Sequence, residues 1–292
     1  MKMMIETKNL TKYYGKHRGI MDVNLSVAEG DMYGFIGPNG AGKSTAIRTL
    51  LGLIHPTSGE GRVLGYDCVK EKNSLLKRIG YMPSEAMFYS GMKVKDIIRL
   101  SEGLRKEDCR MEAAKLCDRF AVDTKKKVEE LSLGNRKKVG IICAMQHKPD
   151  LYILDEPTSG LDPLMQREFF ELLHERNKEG ATVFLSSHVL SEISKHCNRA
   201  AIIKEGKLVA EDTMEALTKS SAKKVILHGI TQMPKLSGIS KVHAEEDVVS
   251  FFYQGKMPDL IQALQGLPIT DLSITEPDLE EIVMHFYGGE GL

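Results

Sequence analysis

Between about residues 30 and 210, short runs of β-branched and aromatic residues alternate with longer stretches whose apolar positions recur every three or four residues. Tyr33-Gly34-Phe35-Ile36, Leu151-Tyr152-Ile153-Leu154, Thr182-Val183-Phe184-Leu185 and Ala200-Ala201-Ile202-Ile203 are apolar on both faces. Runs of that length and character predict strands covered on both sides. Ile47, Leu50, Leu51 and Ile54 fall on one helical face, and Met165, Phe169, Leu172 and Leu173 on another. Pro163 suits the first turn of the second helix and Gly180 its end. Strand and helix in alternation predict an α/β fold with a mostly parallel sheet between helices.

Leu75 to Val128 breaks this rhythm. It is rich in charge, helical in pattern and without a strong strand, which predicts a helical insertion ending in the solvated run Lys125-Lys126-Lys127. Around Thr218-Lys219-Ser220-Ser221 the chain turns small and polar, as a linker does. Beyond it the pattern predicts strands from Val225 to Leu227 and from Val248 to Tyr253, a helix from Pro258 to Leu264, a strand from Ile269 to Ile274 and a last helix. Thr275 would cap that last helix, Pro277 and Asp278 would open it, and Leu279, Ile282, Val283 and Phe286 would form its apolar stripe. The expected division is a main domain over 1–218, with a helical subdomain at about 75–145, and a small α+β accessory domain over 219–292.

Composition narrows the function. Forty basic residues cancel forty acidic ones, and the pI is near 7.1, so no chain-wide positive field would draw nucleic acid. No stretch reaches the roughly 18–20 consecutive apolar residues of a membrane span. Met1 to Glu6 is too polar for a secretory signal. Five scattered cysteines without a CxxC pair fit reduced thiols.

The chemistry is concentrated at three strand ends. Gly37-Pro38-Asn39-Gly40-Ala41-Gly42-Lys43-Ser44-Thr45 has the P-loop spelling GxxxxGK[ST] and stands between a predicted strand and a predicted helix. Its glycines let successive N–H groups turn inward on phosphate oxygens, and the following helix points its positive end at the same place. Lys43 would sit between the β- and γ-phosphates, and the Ser44 hydroxyl would ligate Mg²⁺. Asp155 and Glu156 follow the strand ending at Leu154; two acids there require a cation or a polar site. Asp155 would hold Mg²⁺ and Glu156 would polarise the attacking water. His188 ends a third strand and would hydrogen-bond the γ-phosphate.

In that order these motifs resemble the ATP-binding cassette (ABC) ATPases: the P-loop, Leu131-Ser132-Leu133-Gly134-Asn135, Leu154-Asp155-Glu156-Pro157-Thr158-Ser159-Gly160-Leu161-Asp162, and His188. The likeness spans about residues 4 to 215 and is greatest to the ATPase subunits of bacterial exporters with separate membrane subunits, including those for drugs, antibiotics and peptides. The stretch from Thr275 to Val283 resembles the end of the short C-terminal domain that many of them carry. The resemblance implies a P-loop NTPase cassette with N-terminal antiparallel strands and a helical subdomain. It implies ATP and Mg²⁺ as ligands, and two cassettes meeting head to tail, expected here as a homodimer. Ser132 and Gly134 would then reach ATP on the partner, Asp162 would contact the partner, and Tyr14, with Tyr13 as the alternate, would stack on adenine. It further implies an integral membrane partner gripped through Ser84 to about Leu104, and a peripheral location on the cytoplasmic side of the cell membrane.

Two motifs depart from the family pattern. The signature reads LSLGN rather than LSGGQ, with Ser132 and Gly134 kept. After Ile79-Gly80-Tyr81-Met82-Pro83, where the family has a glutamine near Mg²⁺ and the water, stands the shorter Ser84. Ser84 prompts one alternative, a nucleotide-gated regulatory subunit with little turnover. Another is a soluble ABC ATPase of ribosomes or DNA; a single cassette, balanced charge and only about ninety residues between Lys43 and Leu131 argue against it.

Overall fold

The computed structural model describes residues 2–218, 222–230, 236–277 and 281. The chain forms two compact units, Met1–Glu211 and Asp212–Leu292. Lys219 to Ser221 of the expected linker, and Asp278, Leu279, Ile282, Val283 and Phe286 of the expected last helix, lie outside the described residues.

A six-stranded sheet, in the first unit but for the last two residues of its edge strand Lys207–Thr213, runs in spatial order Lys207–Thr213, Arg199–Lys204, Met32–Ile36, Thr182–Ser187, Leu151–Asp155 and Ile79–Met82. From Arg199–Lys204 to Ile79–Met82 every neighbouring pair is parallel. All four runs that read as doubly covered strands are in it, and Met32–Ile36, Leu151–Asp155 and Thr182–Ser187 are buried at every residue. Phe184 joins them across the sheet face, stacked on Tyr33 at 5.7 Å and packed on Phe35 at 5.3 Å. A separate antiparallel sheet pairs Met3–Tyr14 with His17–Val23, Ser26–Ala28 and Ser58–Val63, which in turn pairs with Tyr66–Asp67.

The predicted helices form, with edges set by their caps. The helix after the P-loop, Lys43–Leu50, buries Ile47 and Leu50; Leu51 caps it and Gly52 turns the chain with φ 64, so Ile54 lies past its end. Pro163–Lys178 starts from an Asp162 cap and buries Phe169, Leu172 and Leu173. The Leu75 to Val128 reading needs correction, because Ile79–Met82 is a strand at the edge of the central sheet, parallel to Leu151–Asp155. Four residues, one of them glycine, give too short a period to read, but Gly80 is required by its neighbours. A Cβ there would stand 2.4 Å from Ala144 O and 2.7 Å from Tyr152 Cδ1. The helices Val94–Arg105, Arg110–Arg119 and Leu133–Met145 follow.

The second unit is a four-stranded antiparallel sheet in the order Ile239–Glu245, Val248–Tyr253, Lys223–His228, Asp271–Thr275, with the helix Met257–Leu264. Val225, Leu227, Val249, Phe251, Tyr253, Leu260 and Leu264 form its core. The pattern missed Ile239–Glu245. Six of its seven residues are exposed, so this edge strand has no apolar face to read.

Gly80→Val should lower the unfolding free energy by about 1–3 kcal/mol through overpacking between strand and helix. Chemical denaturation followed by circular dichroism tests this, and an unchanged midpoint would contradict the close approach.

Candidate active site

Register brings the chemistry to one edge. Ile36 lies opposite Ser187, Asp155 opposite Ser186, and Met82 opposite Leu154, so four strands end together. The residues that follow them, Gly37, Glu156, His188 and Ser84, therefore share the carboxyl-terminal edge, where open α/β sheets hold ligands. A cavity of about 280 Å³ opens there, lined by Pro38, Asn39, Gly40, Gly42, Lys43, Ser44, Thr45, Ser84 and Glu156, with Arg18 and Gly19 from the antiparallel sheet. Gly37 and Ala41 serve the loop from behind: the Gly37 carbonyl accepts from Lys43 Nζ at 2.5 Å, and Ala41 is buried in the hydrophobic core.

Glu156 is the focus of the charged groups. Lys43 Nζ stands 3.1 Å from Glu156 Oε1 and His188 Nδ1 lies 2.7 Å from Oε2. The Lys43 contact is ionic rather than an aligned hydrogen bond, since Oε1 has no hydrogen-bond partner and the ammonium donates to Gly37 O instead. Since the carboxylate only accepts, His188 donates through Nδ1. The Glu156 backbone is in the left-handed region, φ 49, which a glutamate adopts only when its surroundings hold it there. Its N–H is shared between Ser186 O and Ser186 Oγ, each at 3.1 Å, and its carbonyl accepts from Lys137 Nζ at 2.6 Å.

Asp155 is 1% exposed, and its Oδ1 accepts from Ser186 Oγ at 2.6 Å. Its Oδ2 is buried and has no hydrogen-bond partner. A carboxylate oxygen orphaned in this way is costly and fits a bound cation. Among the described residues no group of three or more His, Cys, Asp or Glu could hold a metal by itself. The donor set, Asp155 with the Ser44 hydroxyl, suits a hard cation that completes its shell with substrate oxygens.

The remaining expected residues do not line the cavity. Tyr14 is 45% exposed, with its ring so near Gly19 that a Cβ at Gly19 would stand 3.2 Å from Tyr14 Cε2. Tyr13 is also exposed. Ser132 caps the helix Leu133–Met145, its Oγ accepting from Asn135 N at 3.3 Å. Gly134 packs on the turn before Asp162, where a Cβ would stand 2.8 Å from Gly160 O. Asp162 accepts from Met165 N at 3.0 Å. Ser132 and Asp162 are both exposed.

Three residues that the sequence did not single out support this arrangement. Ser186 joins Asp155 to the Glu156 backbone. Glu192 accepts from Thr158 Oγ1 and Ser187 Oγ, both at 3.0 Å, tying the loop after Glu156 to the strand end that carries His188; burial pushes its carboxyl up. Lys137 is 2% exposed. It shares an i, i+4, i+7 stripe with buried Ile141 and Ala144, and a charge on such a stripe is the signal that would have revealed it.

Comparison with known proteins identifies the family. The ABC transporter family profile matches residues 20–159. The chain is 35% identical to the bacitracin transport ATP-binding protein BcrA of Bacillus licheniformis, over 99% of each chain. It is 29% identical to the linearmycin resistance ATP-binding protein LnrL of Bacillus subtilis, over 98% of each. The solved structure of an ATP-binding subunit of an ABC transporter superposes with a TM-score of 0.71 at 29% identity, covering 74% of this chain and 92% of that one. A dimeric bacterial ABC transporter cassette gives 0.64 at 25% identity, covering 72% and 99%. The chain therefore belongs to the ABC transporter family, as an ATP-binding and ATP-hydrolysing subunit.

Proposed function

We propose that this chain is the motor of an exporter whose membrane-spanning subunit is a separate protein, and that it works at the cytoplasmic face of the membrane. The observation that carries the reading is the Glu156 carboxylate held between Lys43 and His188 on the wall of the P-loop cavity. Full-length similarity to transport and resistance ATP-binding proteins supports export. Among the described residues no helix is long and apolar enough to cross a membrane, which fits a separate spanning partner.

In this reading the P-loop amides of Gly37 to Thr45 and the Lys43 ammonium bind the phosphates, and Tyr14 meets the adenine. Ser44 and Asp155 would hold Mg²⁺, with Ser84 beside them; the ion, when bound, neutralises charge on the β- and γ-phosphate oxygens. Glu156 accepts the proton of the attacking water, and His188 orients the carboxylate through Oε2. Both roles fit the short distances at this strand end. Ser132, Gly134 and Asp162 are left to a second copy, and their absence from this chain's own cavity supports that role. Residues 1–218 then form the nucleotide-binding domain and 219–292 an accessory domain.

Glu156→Gln is expected to keep ATP binding, to lower kcat by about 10²–10⁴-fold, and to accumulate an ATP-bound dimer visible by light scattering. Turnover equal to the parent's would remove Glu156 from catalysis. Ser132→Arg should block hydrolysis by preventing dimer closure, with nucleotide affinity of the monomer unchanged in calorimetry; a parent-like rate would mean the signature does not meet the partner's ATP. Purifying tagged Glu156→Gln protein with ATP from native membranes should bring down a stoichiometric multi-spanning protein. Recovery of ribosomes, DNA or no partner would sink the exporter reading.

A further inference from the structure

Lys137 has a buried ammonium that neither the phosphate site nor the hydrophobic core accounts for. It lies on the helix Leu133–Met145, five residues beyond the capping Ser132, and its side chain is among the largest that are fully buried. Burial drives its pKa down, while the carboxylates of Asp155, Glu156 and Glu85 act to hold it charged. An apolar side chain of the same length would fill the space without desolvating a charge. The lysine therefore calls for a reason beyond packing.

Its hydrogen bond supplies one. Nζ donates at 2.6 Å to the carbonyl of Glu156, the residue held at φ 49. The peptide on the amino side of Glu156 is fixed by Ser186. The peptide on its carboxyl side is fixed by Lys137, with a longer contact from Ser159 N at 3.4 Å. With both planes held, the direction in which the side chain leaves the backbone is set, and the carboxylate reaches Lys43 and His188. The same helix touches the loop that contains Ser84: a Cβ at Gly140 would stand 3.3 Å from Ala86 Cβ and 3.8 Å from Met82 Cε. The signature helix thus meets the Ser84 loop at Gly140 and the backbone of Glu156 at Lys137.

We infer that Lys137 is a positioning residue for hydrolysis: from the signature helix its ammonium fixes the Glu156 carbonyl, and so aims the carboxylate into the phosphate cavity. The inference rests on the reading of Glu156 as the group that activates water. It predicts that losing the donor costs turnover and spares substrate binding, because Lys137 does not itself line the cavity.

The test uses the full chain and Mg-ATP, with steady-state kinetics and thermal midpoints for Lys137→Met, Lys137→Leu, Lys137→Gln, Glu156→Gln and Glu156→Gln/Lys137→Met. The donor-less Met and Leu variants should lose about 10–100-fold in kcat, as expected of a misaimed catalytic group, with KM for ATP within about twofold of the parent. Lys137→Gln, whose amide can donate to the same carbonyl, should recover to within about fivefold of the parent kcat. In the Glu156→Gln background Lys137→Met should cost nothing further, since it acts through the group already removed. A parent-like kcat for the donor-less variants would overturn the inference, as would equal impairment of Met and Gln, or a further loss in the double variant. Donor-less variants that fail to fold while Gln folds would assign the lysine to stability and overturn it as well. Parent-like turnover by Glu156→Gln would instead overturn the functional reading beneath it. An inactive Glu156→Gln beside a fully active Lys137→Met would overturn this inference alone.

Discussion

Parallel register is the constraint on which the molecule depends. Ile36 opposite Ser187 and Asp155 opposite Ser186 place three strand ends within one or two residues of each other along the sheet. A one-residue slip in either pairing would turn side chains to the opposite face and separate the P-loop from Glu156. The register is protected by burial: Met32–Ile36, Leu151–Asp155 and Thr182–Ser187 have no exposed face, and Phe184 packs on both Tyr33 and Phe35. The apolar core thus determines where the polar chemistry sits, although none of its side chains takes part in it.

The site built on that edge places charges where they are expensive. Lys43, Lys137 and Asp155 are all less than a tenth exposed. A buried ammonium costs several kcal/mol in lost hydration, while a hydrogen bond to a charged group returns about 1.5–3 kcal/mol. The single bond from Lys137 to Glu156 O does not close that gap by itself, and the fields of Asp155, Glu156 and Glu85 are needed as well. Such an arrangement is a poor way to gain stability and a good way to fix geometry. The left-handed backbone at Glu156 belongs to the same pattern.

What could be read from the sequence follows from this physics. The doubly covered strands and the P-loop were legible because burial on both faces and phosphate binding each permit few residue types, and Lys43, Asp155, Glu156 and His188 stand in short runs that can be read locally. Ile79–Met82 was not legible: its strand character comes from pairing with Leu151–Asp155, about seventy residues away. Ile239–Glu245 was hidden for the opposite reason, as an exposed edge with no pattern of its own. Ser186 and Glu192 escaped because serines and glutamates are common, and only the folded chain sets them against Asp155, Thr158 and Ser187. Lys137 escaped because a lysine on a helix reads as solvated, and only the folded chain sets its ammonium against the carbonyl of Glu156, nineteen residues away.

In the proposed head-to-tail pair, the same geometry leaves one cassette an incomplete machine. Lys43, Glu156 and Ser84 wall the cavity, whereas Ser132 and Asp162 sit exposed at the starts of their helices, each accepting a backbone N–H of its own helix. Leu133 and Leu164, beside those caps, are 56% and 64% exposed. Apolar side chains beside the positive ends of two helices suit the proposed contact, in which a phosphate and a protein face meet the same surface. In that proposed pair, ligand and partner would stabilise the same closed state, so each would raise the affinity for the other. Hydrolysis would remove one of the two, and the affinity that held the pair closed would fall with it.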